Sequence, residues 1–101
     1  MSEVTLNRSA PGRWTLQGTL DFASVPTIWP SIAELIRSNA TVGLSLSAID
    51  QANSAGLAML VEAQDLARQT GCRLELADVP RDLLDLASMS QCKALIAATT
   101  D

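Results

Sequence analysis

Apolar and polar residues alternate in short stretches of the chain and recur at helical spacing in others. Val4 and Leu6 alternate with Thr5 and Asn7, and Trp14, Leu16, Gly18 and Leu20 alternate with Thr15, Gln17 and Thr19. This period of two predicts two strands. Ala10, Pro11 and Gly12 supply turn chemistry between them, so the pair reads as an antiparallel hairpin. Ser24 is placed to cap a helix, whose apolar stripe runs Val25, Ile28, Trp29, Ile32, Leu35 and Ile36. Pro30 lies inside that stripe and predicts a first turn that is kinked or separate. Ser38-Asn39 ends the helix.

Val42, Leu44 and Leu46 alternate with Gly43, Ser45 and Ser47 as a third strand. A polar loop, Asp50-Gln51-Ala52-Asn53, is expected after Ile49. Ser54 then opens a long helix to Thr70, with Gly71 as its C-terminal cap. Cys72, Leu74 and Leu76 alternate with Arg73 and Glu75 as a fourth strand. Pro80 starts a further helix through Leu83, Leu86 and Ala87. Leu95 to Ala98 reads as a last short apolar element before a frayed tail, Thr99-Thr100-Asp101.

Strands joined through helices run parallel with right-handed crossovers. The order therefore predicts an α/β fold with a small mixed sheet of about four strands, antiparallel only in its N-terminal hairpin. Each strand keeps one polar face, seen in Thr15, Gln17, Ser45, Ser47, Arg73 and Glu75. A sheet covered on both sides would be apolar on both faces, so the helices are expected mainly on one face.

The length of 101 residues fits one domain, residues 1–101. With 48% hydrophobic and 18% charged residues the chain can build a core. A net charge of -4 disfavours nucleic acid and direct binding to an anionic membrane. No stretch reaches the roughly 18 apolar residues of a membrane span, and Met1 to Arg13 has no signal-peptide core, so a cytoplasmic protein is expected. Cys72 and Cys92 lack metal-ligand spacing and read as reduced thiols.

Catalytic chemistry is thinly supplied. There is no histidine and no tyrosine, and no glycine-rich phosphate cradle. The carboxylates are scattered. We expect no enzymatic activity, cofactor or metal. The informative stretch runs from Leu46 to Leu57: a strand, a loop and a helix start. Ser54 reads as the capping residue there, and Gly56 lets another surface come close. A helix N-terminus also favours anions, a phosphate on Ser54 included.

That stretch, Leu46-Ser47-Ala48-Ile49-Asp50-Gln51-Ala52-Asn53-Ser54-Ala55-Gly56-Leu57, resembles the signature of STAS domains. In these a strand ending L-S-x-V leads through a short loop to D-[ST]-x-G-L at the head of a helix. Leu16-Gln17-Gly18-Thr19-Leu20-Asp21 resembles the family's L-x-G-x-L-D strand, and the likeness covers essentially the whole chain. The resemblance implies a partner-binding switch. One branch of the family comprises antagonists of anti-sigma factors, whose Ser or Thr after the Asp is phosphorylated by the partner kinase. Another is the small cytoplasmic STAS subunit of the Mla phospholipid-transport ABC complex. Ser54 matches the phosphorylated position, but Asn53 replaces the Asp before it, and Ser45 stands where an Asp often precedes the L-S. Pro26-Thr27-Ile28-Trp29 is similar to the Mla subunit, which has a Trp in its first helix. The resemblance thus favours a subunit that binds and regulates or stabilises the transporter ATPase. It would touch the permease indirectly and reach the inner membrane only through its partners. The alternative partner is an anti-sigma factor kinase acting on Ser54.

The expected partner-binding residues are Trp29, Asn53, Ser54, Ala55, Gly56, Leu57, Val61 and Arg68. On the long helix Leu60, Ala63 and Ala67, with Met59 and Leu66 beside them, should pack on the sheet, and Glu62, Asp65 and Gln69 should face solvent. Leu57 and Val61 share a further stripe with Gln64 and Arg68, which is either the edge of the core or a partner-facing rim. A Trp at helical spacing is most often core. Trp29, however, lies between two prolines on a stripe already filled by five aliphatic residues. It is expected to be partly exposed until a partner covers it.

Overall fold

The computed structural model describes residues 3–89. The elements follow the predicted order: β1 (Val4–Ala10), β2 (Arg13–Leu20), α1 (Val25–Ser38), β3 (Thr41–Ala52), α2 (Ser54–Thr70), β4 (Arg73–Ala77) and α3 (Arg81–Met89). Sheet order equals sequence order, β1-β2-β3-β4. β1 and β2 pair antiparallel, with Leu6 opposite Leu16, while β2–β3 and β3–β4 are parallel. The apolar element over Leu95–Ala98, the tail and Cys92 lie outside the described residues.

The period of two sorts each strand between its faces. Leu16, Leu20, Val42, Leu44, Leu46, Leu74 and Leu76 are buried beneath Ile28, Ile32 and Ile36 of α1, Leu60, Ala63 and Ala67 of α2, and Leu83 and Ala87 of α3. Removing this apolar surface from water is the main stabilising term. The opposite face carries Thr15, Gln17, Ser45, Ser47, Arg73 and Glu75 as expected, none of them buried. Arg73 and Glu75 pair there at 2.9 Å.

Two local expectations are corrected. The polar loop after Ile49 is strand: β3 continues through Asp50 and Gln51 to Ala52, with Thr19 opposite Gln51 and Leu20 opposite Ala52. Two bulges put the extra residues on β3, one between Ser45 and Ala48 opposite Thr15–Gln17 and the second at Asp50 opposite Gly18–Thr19, so the longer strand keeps pairing with β2. Gly18 sits at φ +117°, and the place of its absent Cβ is filled by the Glu3 carbonyl. This strained bend needs a glycine. Also, α1 is continuous from Val25 to Ser38 despite Pro30. Only the Pro26 carbonyl loses its helical donor, and Pro26 itself lies in the first turn, where no donor is needed.

Candidate functional site

The C-terminal ends of β2 and β3 each turn directly into a helix, and the two turns lie side by side. The Asn53 N–H donates to the Leu20 carbonyl at 3.1 Å, tying one helix start to the other.

At the first turn, Asp21 Oδ1 accepts from the N–H groups of Ala23 and Ser24, both at 2.9 Å. Ser24 does not cap α1 with its side chain. Its backbone is already helical, which points the hydroxyl back at the strand end. Ser24 Oγ instead donates to the Thr19 carbonyl at 2.6 Å and accepts from the Asp21 N–H at 3.0 Å. The serine is only 1% exposed and fully partnered. The Leu20-Asp21 pair of the sequence motif is thus a structural knot that launches α1.

At the second turn the cap is Asn53, not Ser54. Asn53 has extended backbone, and its Oδ1 accepts from the Ala55 N–H at 2.9 Å. Ser54 is the first helical residue. It is exposed, and its hydroxyl makes no hydrogen bond among the described residues. Gly56 is buried, and what comes close to it is the chain's own β2: a Cβ on Gly56 would sit 3.0 Å from the Leu20 Cβ. Leu57, 7% exposed, belongs to the core and offers a partner no side chain.

Between the starts of α1 and α2 runs an open apolar groove of about 350 Å³, lined by Phe22, Val25, Pro26, Trp29, Ala55, Ala58, Met59 and Glu62. Trp29 is half-buried: one part packs on the core and the rest lines the groove. On the other side of the α2 start lies a second depression formed by Ala52, Asn53, Ser54, Asp82, Asp85, Leu86 and Met89. Phe22 and Met89, 72% and 76% exposed, are the large hydrophobic residues left open among the described residues. They flank the α2 N-terminus on either side.

The structure therefore puts Asn53 and Ser54 on one side of the α2 start and Trp29 on the other, with Ala55, only 7% exposed, contributing to the groove beside Trp29. Val61 is half-buried about two turns further along α2. Arg68 lies apart, in the last turn of α2, exposed and paired with Asp65 at 3.2 Å. Sequence reasoning missed Phe22, Ala58 and Met59 of the groove and Asp82 and Asp85 of α3. The one phenylalanine of the chain, standing in a turn between Asp21 and Ala23, was an available signal. The pairing of α1 and α2 grooves had none.

Among the described residues no three His, Cys, Asp or Glu side chains gather as metal ligands. Cys72 is a free, buried thiol whose pKa is raised by desolvation, which keeps it protonated and unreactive at neutral pH. A shallow hollow of about 440 Å³ on the open sheet face is lined by residues such as Arg13, Thr15, Ser45, Glu75 and Asp78. Its Ser45 is already engaged: Ser45 Oγ lies 3.0 Å from Ser47 Oγ and donates to Asp78 at 3.4 Å. No helix among the described residues is long and apolar enough to cross a membrane.

Comparison with known proteins places this architecture. Residues 7–97 match the family model described as "Mlab, STAS domain". The fold is similar to that of the anti-sigma factor antagonist SpoIIAA in its unphosphorylated form, with TM-score 0.71 and 15% identity over 97% of this chain and 89% of that one. It is also similar to the Bacillus cell fate determinant SpoIIAA in its phosphorylated form, with TM-score 0.69 and 15% identity over 97% and 92% of the two chains. No match is found among curated proteins.

Proposed function

The chain belongs to the STAS domain family and is most like its MlaB members, and on that premise we propose that it is a non-enzymatic subunit docking on the ATPase of an ABC-type phospholipid transporter. It regulates or stabilises that ATPase from the cytoplasmic side and reaches the inner membrane through the complex. The observation that carries this reading is the apolar groove between the α1 and α2 starts, with a half-buried Trp29 in its wall and Phe22 open beside it. Large aromatics standing in a groove are the usual anchors of protein interfaces.

The test is co-expression with the ATPase subunit of an Mla-type lipid transporter from the same genome, followed by size-exclusion chromatography. A stable complex is expected. Trp29→Ala should weaken it by about 2 kcal/mol or more, roughly thirtyfold. The isolated variant should stay folded, because a half-buried Trp costs less than the ~3–5 kcal/mol of a core aromatic. Separate elution of the two wild-type proteins refutes the reading.

A second reading, an anti-sigma factor antagonist switched by phosphorylation, is favoured by one observation: Ser54 is exposed with an unengaged hydroxyl. Its neighbours oppose it, since Ser54 shares its depression with Asp82 and Asp85, and a phosphate there would meet like charge. A mass gain of one phosphate on incubation with a cognate anti-sigma kinase, absent in Ser54→Ala, would establish this reading.

A further inference from the structure

The charges of this domain are divided between the two ends of the sheet. Arg13 and Arg73 open β2 and β4, while Arg37 and Arg68 lie in the last turns of α1 and α2. All four therefore lie at the N-terminal edge of the parallel strands, away from the groove. At the opposite edge, Asp50 lies near the end of β3, and Asp82 and Asp85 of α3 line the depression beside the α2 start. Glu62 lines the groove itself. The one cation described at this end, Arg81, is exposed and lies 4.0 Å from Asp85, a weak solvent-screened pair. Carboxylates thus stand at both margins of the apolar surface.

We infer that the partner segment seated across the α2 N-terminus is a basic amphipathic one, with apolar side chains for the groove and Lys or Arg on its flanks. This rests on the docking reading above and adds the chemistry of the other side. The apolar part is set by Phe22, Trp29 and Ala58 on the α1 side, over a floor of buried Met59, and by Met89 on the α3 side. Glu62 stands at one margin and Asp82 and Asp85 at the other. A neutral or acidic segment would gain the apolar contact and place no cation against the carboxylates at either margin. A basic one gains both contact and electrostatic steering.

The experiment titrates the purified transporter ATPase onto this protein at about 50 and about 300 mM salt, roughly 14 Å and 6 Å of screening length. Wild type should bind about tenfold more weakly at the higher salt, with most of the change in the association rate. The variant Glu62→Gln/Asp82→Asn/Asp85→Asn should lose about fivefold or more at low salt and show a flatter salt response. Glu75→Gln, a like change on the open sheet face, should bind as wild type. Circular dichroism confirms that each variant is folded. Equal affinity at both salts, with no effect of the triple variant, overturns the basic-segment inference and leaves the docking reading intact. An equal loss in Glu75→Gln also overturns it, because net charge alone would then be at work. Absence of a complex at either salt overturns the docking reading and the inference together.

Discussion

Two strand-to-helix turns stand side by side in this domain, each with a serine next to an Asx residue's reach, and they use that serine oppositely. At the α1 start Ser24 is buried and holds the Thr19 carbonyl and the Asp21 N–H at once. At the α2 start Asn53 does the capping alone, and Ser54 stands exposed beside it. The first serine is part of the fold. The second is hardly required by it, which leaves its hydroxyl and its surface available to a partner. The same residue type, on the same kind of turn, is structural or functional according to which backbone groups its neighbours have already satisfied.

Mutation can break this contrast in order of size. Ser24→Ala should have the largest effect, about 3 kcal/mol by denaturant unfolding, because it orphans an acceptor and a donor at a buried site. A loss below about 1 kcal/mol would mean that water replaces the hydroxyl there. Gly56→Ala should follow with about 1–3 kcal/mol, the added methyl pushing on Leu20. Asn53→Ala removes a single cap bond and should cost about 1 kcal/mol. Ser54→Ala should be the mildest, within about 0.5 kcal/mol of wild type. If Ser54→Ala instead cost as much as Asn53→Ala, the assignment of the cap to Asn53 would be wrong. Ser54→Glu should also fold, since a helix N-terminus tolerates an anion, yet weaken the ATPase complex if the surface docks as proposed.

The sequence made the strands and helices legible wherever a regular period ran unbroken. It misled at the end of β3 because that strand is bulged there: Asp50 is an extra residue between paired Ile49 and Gln51, so the strand continues while the residues read as loop. It placed the α2 cap one residue late. Asn and Ser are near-equal caps, and only the backbone conformation of Asn53 decides between them. Gly18 and Asp21 were visible as a motif, but their reasons, a filled Cβ position and a paired N–H knot, are contacts between segments that no local pattern encodes. Trp29 was expected to be partly exposed and is half-buried. Its groove partners on α2 and the acidic side chains of α3 come together only through the packing of helices.

The strictly sequential sheet order has a consequence for how this chain is made. Every strand pairs with the one synthesised just before it, and none must insert between two strands already joined. As the chain leaves the ribosome, β1 and β2 can close a hairpin first. Next, α1 can cover the apolar side of that hairpin before β3 emerges to extend the sheet. Each β-α unit adds to a finished edge, so the apolar underside is open only for about the time one helix takes to emerge. A chain paused once Ala52 has left the ribosome should already hold β1 to β3 in native register, detectable as protease protection of the emerged segment, with α2 and β4 still to emerge.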